Sequence, residues 1–221
     1  MTLPHTLHGQ LFLLGFDRRK GRLDLDNQWR FGIALRAAMS TELYRSGHME
    51  DIDGCPRRVG GAPPADYLLR NMVDELTSRP RNWAKLILRG QRETAQAVRQ
   101  QLELDGWLQA RRQRILGIIA TTRLVTLDDV VIDELADRVA ANLHSAIAGR
   151  PTDERLLALG LLAAAAELPA VLGRDVAGLH EQRLTALIKH ADPPTKGMVD
   201  AIKSVHAAMR LKQQEAASMR V

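Results

Sequence analysis

The sequence predicts a mainly α-helical single domain: a central bundle of apolar helices, amphipathic helices around it, and one β-hairpin. Three observations predict this fold. Apolar residues recur three and four positions apart along most of the chain. The segment 151–169 is apolar nearly all round, which is typical of a buried helix. Finally, β-branched residues between 107 and 125 favour one extended segment. Because no composition shift marks a boundary, we expect residues 1–221 to form one domain.

The N-terminal part of the chain is predicted to hold an apolar segment, a buried helix and a loop. The apolar segment, 3–16, precedes an exposed turn at 17–21. Apolar residues at helical spacing fill 32–47, and Gly47 supplies a stop. The span 51–64 is dense in glycine and proline, so we expect a flexible loop without regular structure there.

Three shorter helices are predicted next. Asp66 is placed to cap a helix over 66–77. Another helix is expected to begin near Pro80, where the missing N–H of proline costs little. A break at 89–90 separates it from a helix over 91–104.

Residues 107–125 are predicted to form a hairpin that is basic at its start and apolar beyond. Gly106 ends the preceding helix, and Trp107 begins the extended segment. The basic residues are Arg111, Arg112 and Arg114, and the apolar residues beside them include Leu116, Ile118 and Ile119. Such a hairpin suits a surface that approaches a polyanion, either a membrane or a nucleic-acid backbone.

The second half of the chain is predicted to be helical throughout. A helix over 127–148 is opened by Asp128 and Asp129, and the apolar helix over 151–169 is expected to be the central buried element. Two more helices are predicted over 178–190 and 197–219, with an exposed tail at 212–221.

Composition narrows the function classes. The net charge is +5 and the sequence pI is about 9.8, which favours anionic partners. Cys55 is the one cysteine, so no intrachain disulfide is expected. We expect neither a signal peptide nor a membrane-spanning helix, because the apolar runs are too short for either. We therefore expect a cytoplasmic protein whose membrane contact, if any, is peripheral.

Motifs for catalysis are absent from the sequence. It holds no glycine-rich phosphate loop, no nucleophile elbow and no histidine spacing typical of a metal site. We therefore predict no catalytic residues, no metal and no cofactor, and expect that the protein is not an enzyme.

Taken in order, several segments resemble a bacterial member of the Golgi phosphoprotein 3 family, whose eukaryotic members bind phosphatidylinositol 4-phosphate. Each segment alone is weak, and their order and separation carry the resemblance. The segments are LFLLGFDRRKGRL (11–23), GIALRAAMSTELYRSGHM (32–49), DYLLRNMVDEL (66–76), RNWAKLI (81–87), VRQQLELDGWL (98–108) and DERLLALGLLAAAAEL (153–168). The resemblance implies a mostly helical fold, a hairpin that inserts into membrane, and a basic pocket for a phosphorylated headgroup.

The resemblance also implies which residues form that pocket. In the family, a Trp precedes the first long helix, an Arg lies inside it, and two Arg stand three residues apart upstream of the hairpin. Arg36 matches the helix Arg and Arg92 the first of the pair, whose second position holds Ala95; Arg89 stands three residues before Arg92. The matching Trp position holds Asn27, and the tryptophan is Trp29.

The first hypothesis is thus a peripheral membrane protein that binds anionic phospholipid headgroups, similar to phosphatidylinositol 4-phosphate. The predicted headgroup-binding residues are Trp29, Arg36, Arg89 and Arg92, and the predicted membrane-contact residues are Arg111, Arg112, Arg114, Leu116, Ile118 and Ile119. An adaptor role and a homo-oligomer fit this hypothesis.

A winged-helix DNA-binding regulator is the alternative, because helix 91–104 followed by a basic hairpin has the order of a recognition helix and wing. That helix carries few basic residues, so nucleic acid is not the expected partner. An enzyme of unrecognised type is the third reading.

Overall fold

The protein is mainly helical, with three short antiparallel β-sheets in the part that the structure describes. The computed structural model describes residues 2–17, 22–23, 28–76, 82–115, 119–168, 171 and 181–218. The helices are α1 (Leu7–Leu14), α2 (Gln28–Arg45), α3 (Tyr67–Asp74), α4 (Trp83–Leu88), α5 (Gln91–Leu104), α6 (Asp129–Ile147), α7 (Glu154–Ala165), α8 (Glu181–His190) and α9 (Pro193–Ser218). The strands are β1 (Phe16–Asp17), β2 (Arg22–Leu23), β3 (Met49–Ile52), β4 (Cys55–Arg58), β5 (Leu108–Ile115) and β6 (Ile119–Thr126). The predicted fold class is confirmed.

Helix α2 lies at the centre of the fold. Every residue from Arg30 to Thr41 is buried, and the helix packs against α1, α3, α4, α5, α7 and α9. The sequence favours helix 151–169 as the central element. This helix is α7, and it is buried over 158–164, but α2 is buried over a longer stretch and contacts more helices. The prediction was wrong because α2 buries polar side chains, including Arg36 and Ser40, which a purely apolar pattern does not reveal.

Local capping signals explain where several helices begin and end. Asp66 caps α3 by accepting a hydrogen bond from the Leu69 amide at 2.9 Å, and Asp128 caps α6 through the Val131 amide at 3.2 Å, as predicted. Helix α4 begins at Trp83, where Asn82 is the N-cap residue. Pro80, predicted near this start, lies outside the described residues.

The expected loop over 51–64 contains a second hairpin. Strands β3 and β4 pair in antiparallel register from Met49↔Arg58 to Ile52↔Cys55. Asp53 and Gly54 form the turn with φ of 52° and 76°, the left-handed conformation that tight two-residue hairpins require. The prediction of no regular structure was therefore wrong over 51–58. The Asp-Gly turn allows the two strands to pair despite the glycine and proline residues around it.

The predicted hairpin over 107–125 is confirmed as β5 and β6. The strands pair from Leu108↔Thr126 to Ile115↔Ile119. Trp107 and Leu108 are buried at its base, so the core of the protein anchors the hairpin where it leaves α5. Residues 116–118, between the two strands, lie outside the described residues.

The last helix begins four residues earlier than the predicted helix over 197–219. Helix α9 begins at Pro193 and continues to Ser218, so the tail predicted over 212–221 is helical as far as Ser218. Residues 207–218 consist mostly of strong helix formers and contain no glycine or proline, which explains why the helix continues almost to its predicted end.

A buried histidine joins α1 to α3 and α5. His8 is 1% exposed, and its Nε2 lies 3.3 Å from Oε1 of Gln101 and 3.8 Å from Oδ2 of Asp66. Burial lowers the pKa of His8 below the usual imidazole value, against the opposing influence of Asp66, Gln101 and Glu42, while Arg155 lowers it further. The fold therefore favours the neutral imidazole.

We expect His8 to make the protein less stable in mild acid. Below the ordinary imidazole pKa of about 6.5, the unfolded chain binds a proton that the folded chain does not, so the free energy of unfolding falls by up to about 1.4 kcal/mol per pH unit. The stabilisation is fully present above that pH. Urea unfolding between pH 5 and 7.5 measures it, and His8→Gln removes this part of the slope. Equal slopes for the two proteins would contradict the prediction.

Candidate functional site

Arg36 is a buried cation in the middle of α2. It is 3% exposed, and its guanidinium faces α3 and α4. Nη1 and Nη2 donate to the two carboxylate oxygens of Glu75 at 3.0 and 2.8 Å, and Nη2 also donates to the Leu86 carbonyl at 2.9 Å. Within the described residues, Arg36 Nε is buried without a hydrogen-bond partner. The guanidinium thus makes a two-oxygen contact with one carboxylate, and its Nε–H has no acceptor among the described residues.

An open pocket of about 310 Å³ lies against Arg36. Its wall is built from α2, α3 and the start of α5, and the lining residues are Arg36, Met39, Tyr67, Leu68, Asn71, Glu75, Gly90, Glu93, Thr94 and Ala97. We call this the Arg36 pocket. Gly90 is the N-cap residue of α5, with φ of 66° and no side-chain cap. The first-turn amides of α5 therefore begin at the pocket, where a helix favours negative charge.

Arg89 and Arg92 flank the N-terminus of α5. Arg89 is exposed, and its Nε lies 3.9 Å from Glu75 Oε2, so Glu75 lies between a buried and an exposed guanidinium. Arg92 is exposed on the first turn of α5. The structure therefore places Arg36 and Arg89 around one carboxylate, with Arg92 on the adjacent turn.

Trp29 lies elsewhere. Its ring makes an edge-on contact with His206 of α9, with centroids 5.3 Å apart, and the Arg30 guanidinium lies 5.6 Å from its centroid. The ring packs partly buried against the core, and Trp29 is not a lining residue of the Arg36 pocket. The structure thus separates Trp29 from the three arginines with which the sequence analysis grouped it.

The predicted membrane-contact residues lie along the β5–β6 hairpin. Arg111 is exposed on β5, opposite Arg123 of β6. The backbones of Arg112 and Arg114 belong to β5 and that of Ile119 to β6. Leu116 and Ile118 lie outside the described residues.

Sequence reasoning did not assign Glu75 or Gly90 to the Arg36 pocket. Glu75 was not singled out, although it holds the Arg36 guanidinium, and no local pattern links residues 39 positions apart. Gly90 was predicted only as a break between helices. A Cβ at this position would lie 3.8 Å from Arg36 Nη1, so the glycine backbone lies directly beside the guanidinium.

A larger pocket, of about 520 Å³, is more acidic than the Arg36 pocket. It is lined by Tyr44, Arg45, Met49, Glu50, Asp51, Glu154 and Asp192. Arg45, the cation among its described lining residues, donates to both Glu154 and Asp192. The described lining of the larger pocket has four carboxylates and one arginine, against two carboxylates and one arginine in the Arg36 pocket, so the Arg36 pocket is the better candidate for anion binding.

The fold and the Arg36 pocket together define a helical protein with an arginine-centred pocket at the start of α5 and a hairpin anchored at the other end of that helix. Comparison with family models gives the family: the chain belongs to the Golgi phosphoprotein 3 (GPP34) family, whose model matches residues 7–205. The family is non-enzymatic, and membership of it is consistent with a lipid-binding or adaptor role. A comparison with curated proteins found no match. Among the helices in the described ranges, none combines the length and the apolar character needed to cross a bilayer.

Proposed function

We propose that this chain is a peripheral membrane protein that binds the phosphorylated headgroup of an anionic phospholipid in the Arg36 pocket. The observation that carries the proposal is the buried Arg36 guanidinium at the wall of an open pocket, with Arg89 3.9 Å from its partner Glu75 and Arg92 on the first turn of α5. A planar guanidinium suits phosphate because its fork matches two oxygens at once. Membership of the Golgi phosphoprotein 3 family supports a ligand of this class.

The β5–β6 hairpin is the second part of the proposal. We infer that the hairpin lies against the bilayer. Arg111 would then be near the lipid phosphates, and the predicted apolar contact residues Leu116, Ile118 and Ile119 would face the acyl chains. Each basic residue near an anionic surface contributes about 1 kcal/mol, and a headgroup pocket adds a second signal. Two weak signals together hold a protein at a membrane, which is the basis for proposing a cytoplasmic, peripherally bound protein with an adaptor role.

The winged-helix alternative receives no such support. One face of α5 packs against α1 and α2, with Thr94, Val98 and Leu102 buried. Of the remaining charged residues, Arg99 is paired with Glu103 at 3.1 Å. A recognition helix needs several free cations for the phosphate backbone. The described part of α5 therefore does not favour DNA binding.

Exchanging both exposed arginines beside the pocket should weaken vesicle binding strongly. We expect Arg89→Ala/Arg92→Ala to lower affinity for vesicles containing phosphatidylinositol 4-phosphate by about thirtyfold at low salt, since two cations are worth about 2 kcal/mol there. Both side chains are exposed, so the variant should fold normally. Cosedimentation with vesicles of graded phosphatidylinositol 4-phosphate, phosphatidylinositol or cardiolipin content, at low and high salt, measures the affinity.

Arg138→Ala is the control for the loss of a single surface charge, because Arg138 is an exposed arginine on α6. It removes one charge at a distance from the pocket and should retain most of the binding. Equal binding by the wild type and the double variant would overturn the proposed role of Arg89 and Arg92. Binding to duplex DNA at moderate salt, without vesicle binding, would instead favour the winged-helix alternative.

A further inference from the structure

Glu75 occupies the Nη1 and Nη2 donors of Arg36, which an anionic ligand needs. Its two oxygens accept from Nη1 and Nη2 of Arg36 at 3.0 and 2.8 Å. This is the two-oxygen contact through which a guanidinium also binds phosphate. A phosphate that enters the pocket must therefore replace the carboxylate or share the guanidinium with it.

The position of Glu75 allows the carboxylate to leave. Glu75 is the C-cap residue of α3, and its side chain is 26% exposed, whereas the side chain of Arg36 is 4% exposed. A carboxylate that reaches water recovers its hydration when it turns outward, so its release costs less than moving the buried cation. Arg89 Nε, 3.9 Å from Glu75 Oε2, can meet the same incoming anion.

We propose that Glu75 is a specificity-determining residue: it is a resident counter-ion that restricts the Arg36 pocket to phosphate monoesters and disfavours phosphate diesters. This inference rests on the proposed function. A diester carries a single negative charge, so it merely replaces the charge that Glu75 already provides. A monoester carries about −1.5 to −2 at pH 7 and three strong acceptor oxygens, so it gains further attraction after the exchange.

The surroundings of Arg36 offer donors for the additional oxygens. Arg36 Nε has no acceptor among the residues that the structure describes. Gly90 brings the first turn of α5 against the guanidinium, and it provides no side-chain cap for the amides there. The Glu75 carboxylate leaves these donors unused, and a monoester can reach the buried Nε only once that carboxylate has turned away.

Glu75→Gln tests the inference in the full-length protein. The glutamine keeps an oxygen that accepts from Arg36 but removes the charge. We expect the wild type to bind phosphatidylcholine vesicles containing phosphatidic acid, a monoester, more tightly than charge-matched vesicles containing phosphatidylglycerol, a diester. In Glu75→Gln, affinity for the phosphatidylglycerol vesicles should rise about tenfold and the preference should largely disappear, because no charged contact has to be exchanged. Glu134→Gln, an exposed carboxylate on α6, is the control for net charge.

A second arm uses soluble probes, glycerol 3-phosphate and dimethyl phosphate, and measures the midpoint of thermal unfolding. Dimethyl phosphate should stabilise Glu75→Gln but not the wild type. If the soluble esters show this pattern and no vesicle binds, Glu75 has the proposed role and the membrane function fails. If vesicles bind through Arg89 and Arg92 but Glu75→Gln keeps the wild-type preference, the role of Glu75 fails and the membrane function stands. Absence of all binding in both proteins overturns both.

Discussion

Gly32→Ala is expected to lower the free energy of unfolding by about 3 kcal/mol or more, since overpacking against backbone cannot be relieved by a rotamer change. Gly32 lies on α2 where α5 begins. A Cβ there would lie 2.1 Å from the carbonyl oxygen of Gln91 and 2.9 Å from its carbon. Alanine favours a helix by about 1 kcal/mol over glycine, which is too little to offset this clash. Urea unfolding with the wild type as reference measures the loss.

The same substitution at Gly160 is the control. Gly160 lies within α7, where a Cβ would meet Val139 Cγ1 at 3.4 Å, an ordinary contact distance. We expect Gly160→Ala to leave stability unchanged or to raise it slightly. Because Gln91 adjoins Gly90 and Arg92, Gly32→Ala should also displace the start of α5 and weaken vesicle binding. Equal stability of the two alanine variants would show that α2 and α5 do not cross as closely as the structure indicates.

Local signals predicted most of the fold. Asp66 and Asp128 cap helices at the predicted positions, and Gly90 and Gly106 adopt positive φ where breaks were expected. The β3–β4 hairpin was missed because a count of glycines and prolines ignores their order. The dipeptide Asp53-Gly54 is itself a strong hairpin signal, and it was the sequence evidence for this element.

The candidate site was less predictable than the fold. Arg36 was identified through a family resemblance, and nothing in its own helix indicates that the side chain is buried beside a pocket. Its partner Glu75 lies 39 residues away, so the contact exists only because α2 packs against α3. Trp29 is the opposite case, in which closeness in sequence does not bring two residues to the same site. It is close to Arg36 in sequence, but its ring packs against His206 near the other end of the chain.

Arg36→Met should cost about 2 to 4 kcal/mol of stability, because removing one partner of a buried ion pair leaves the other charge uncompensated. The Leu86 carbonyl also loses its donor from Arg36. This loss of unfolding free energy is smaller than for a fully buried pair, because the Glu75 side chain is 26% exposed and can turn toward water. Urea unfolding of the variant gives the loss directly.

Combining Arg36→Met with Glu75→Gln tests whether the two groups stabilise the fold as a pair. Once Arg36 is absent, the Glu75 carboxylate is partly buried without its cation and destabilises the fold. In that background, Glu75→Gln should therefore raise the free energy of unfolding by about 1 kcal/mol or more. In the wild-type background the same change should lower stability slightly, since it replaces a charged acceptor with a neutral one. The sign of the effect of Glu75→Gln should therefore reverse between the two backgrounds. Strict additivity would mean that Arg36 is not held by Glu75, and a phosphate ester would then have no resident carboxylate to displace.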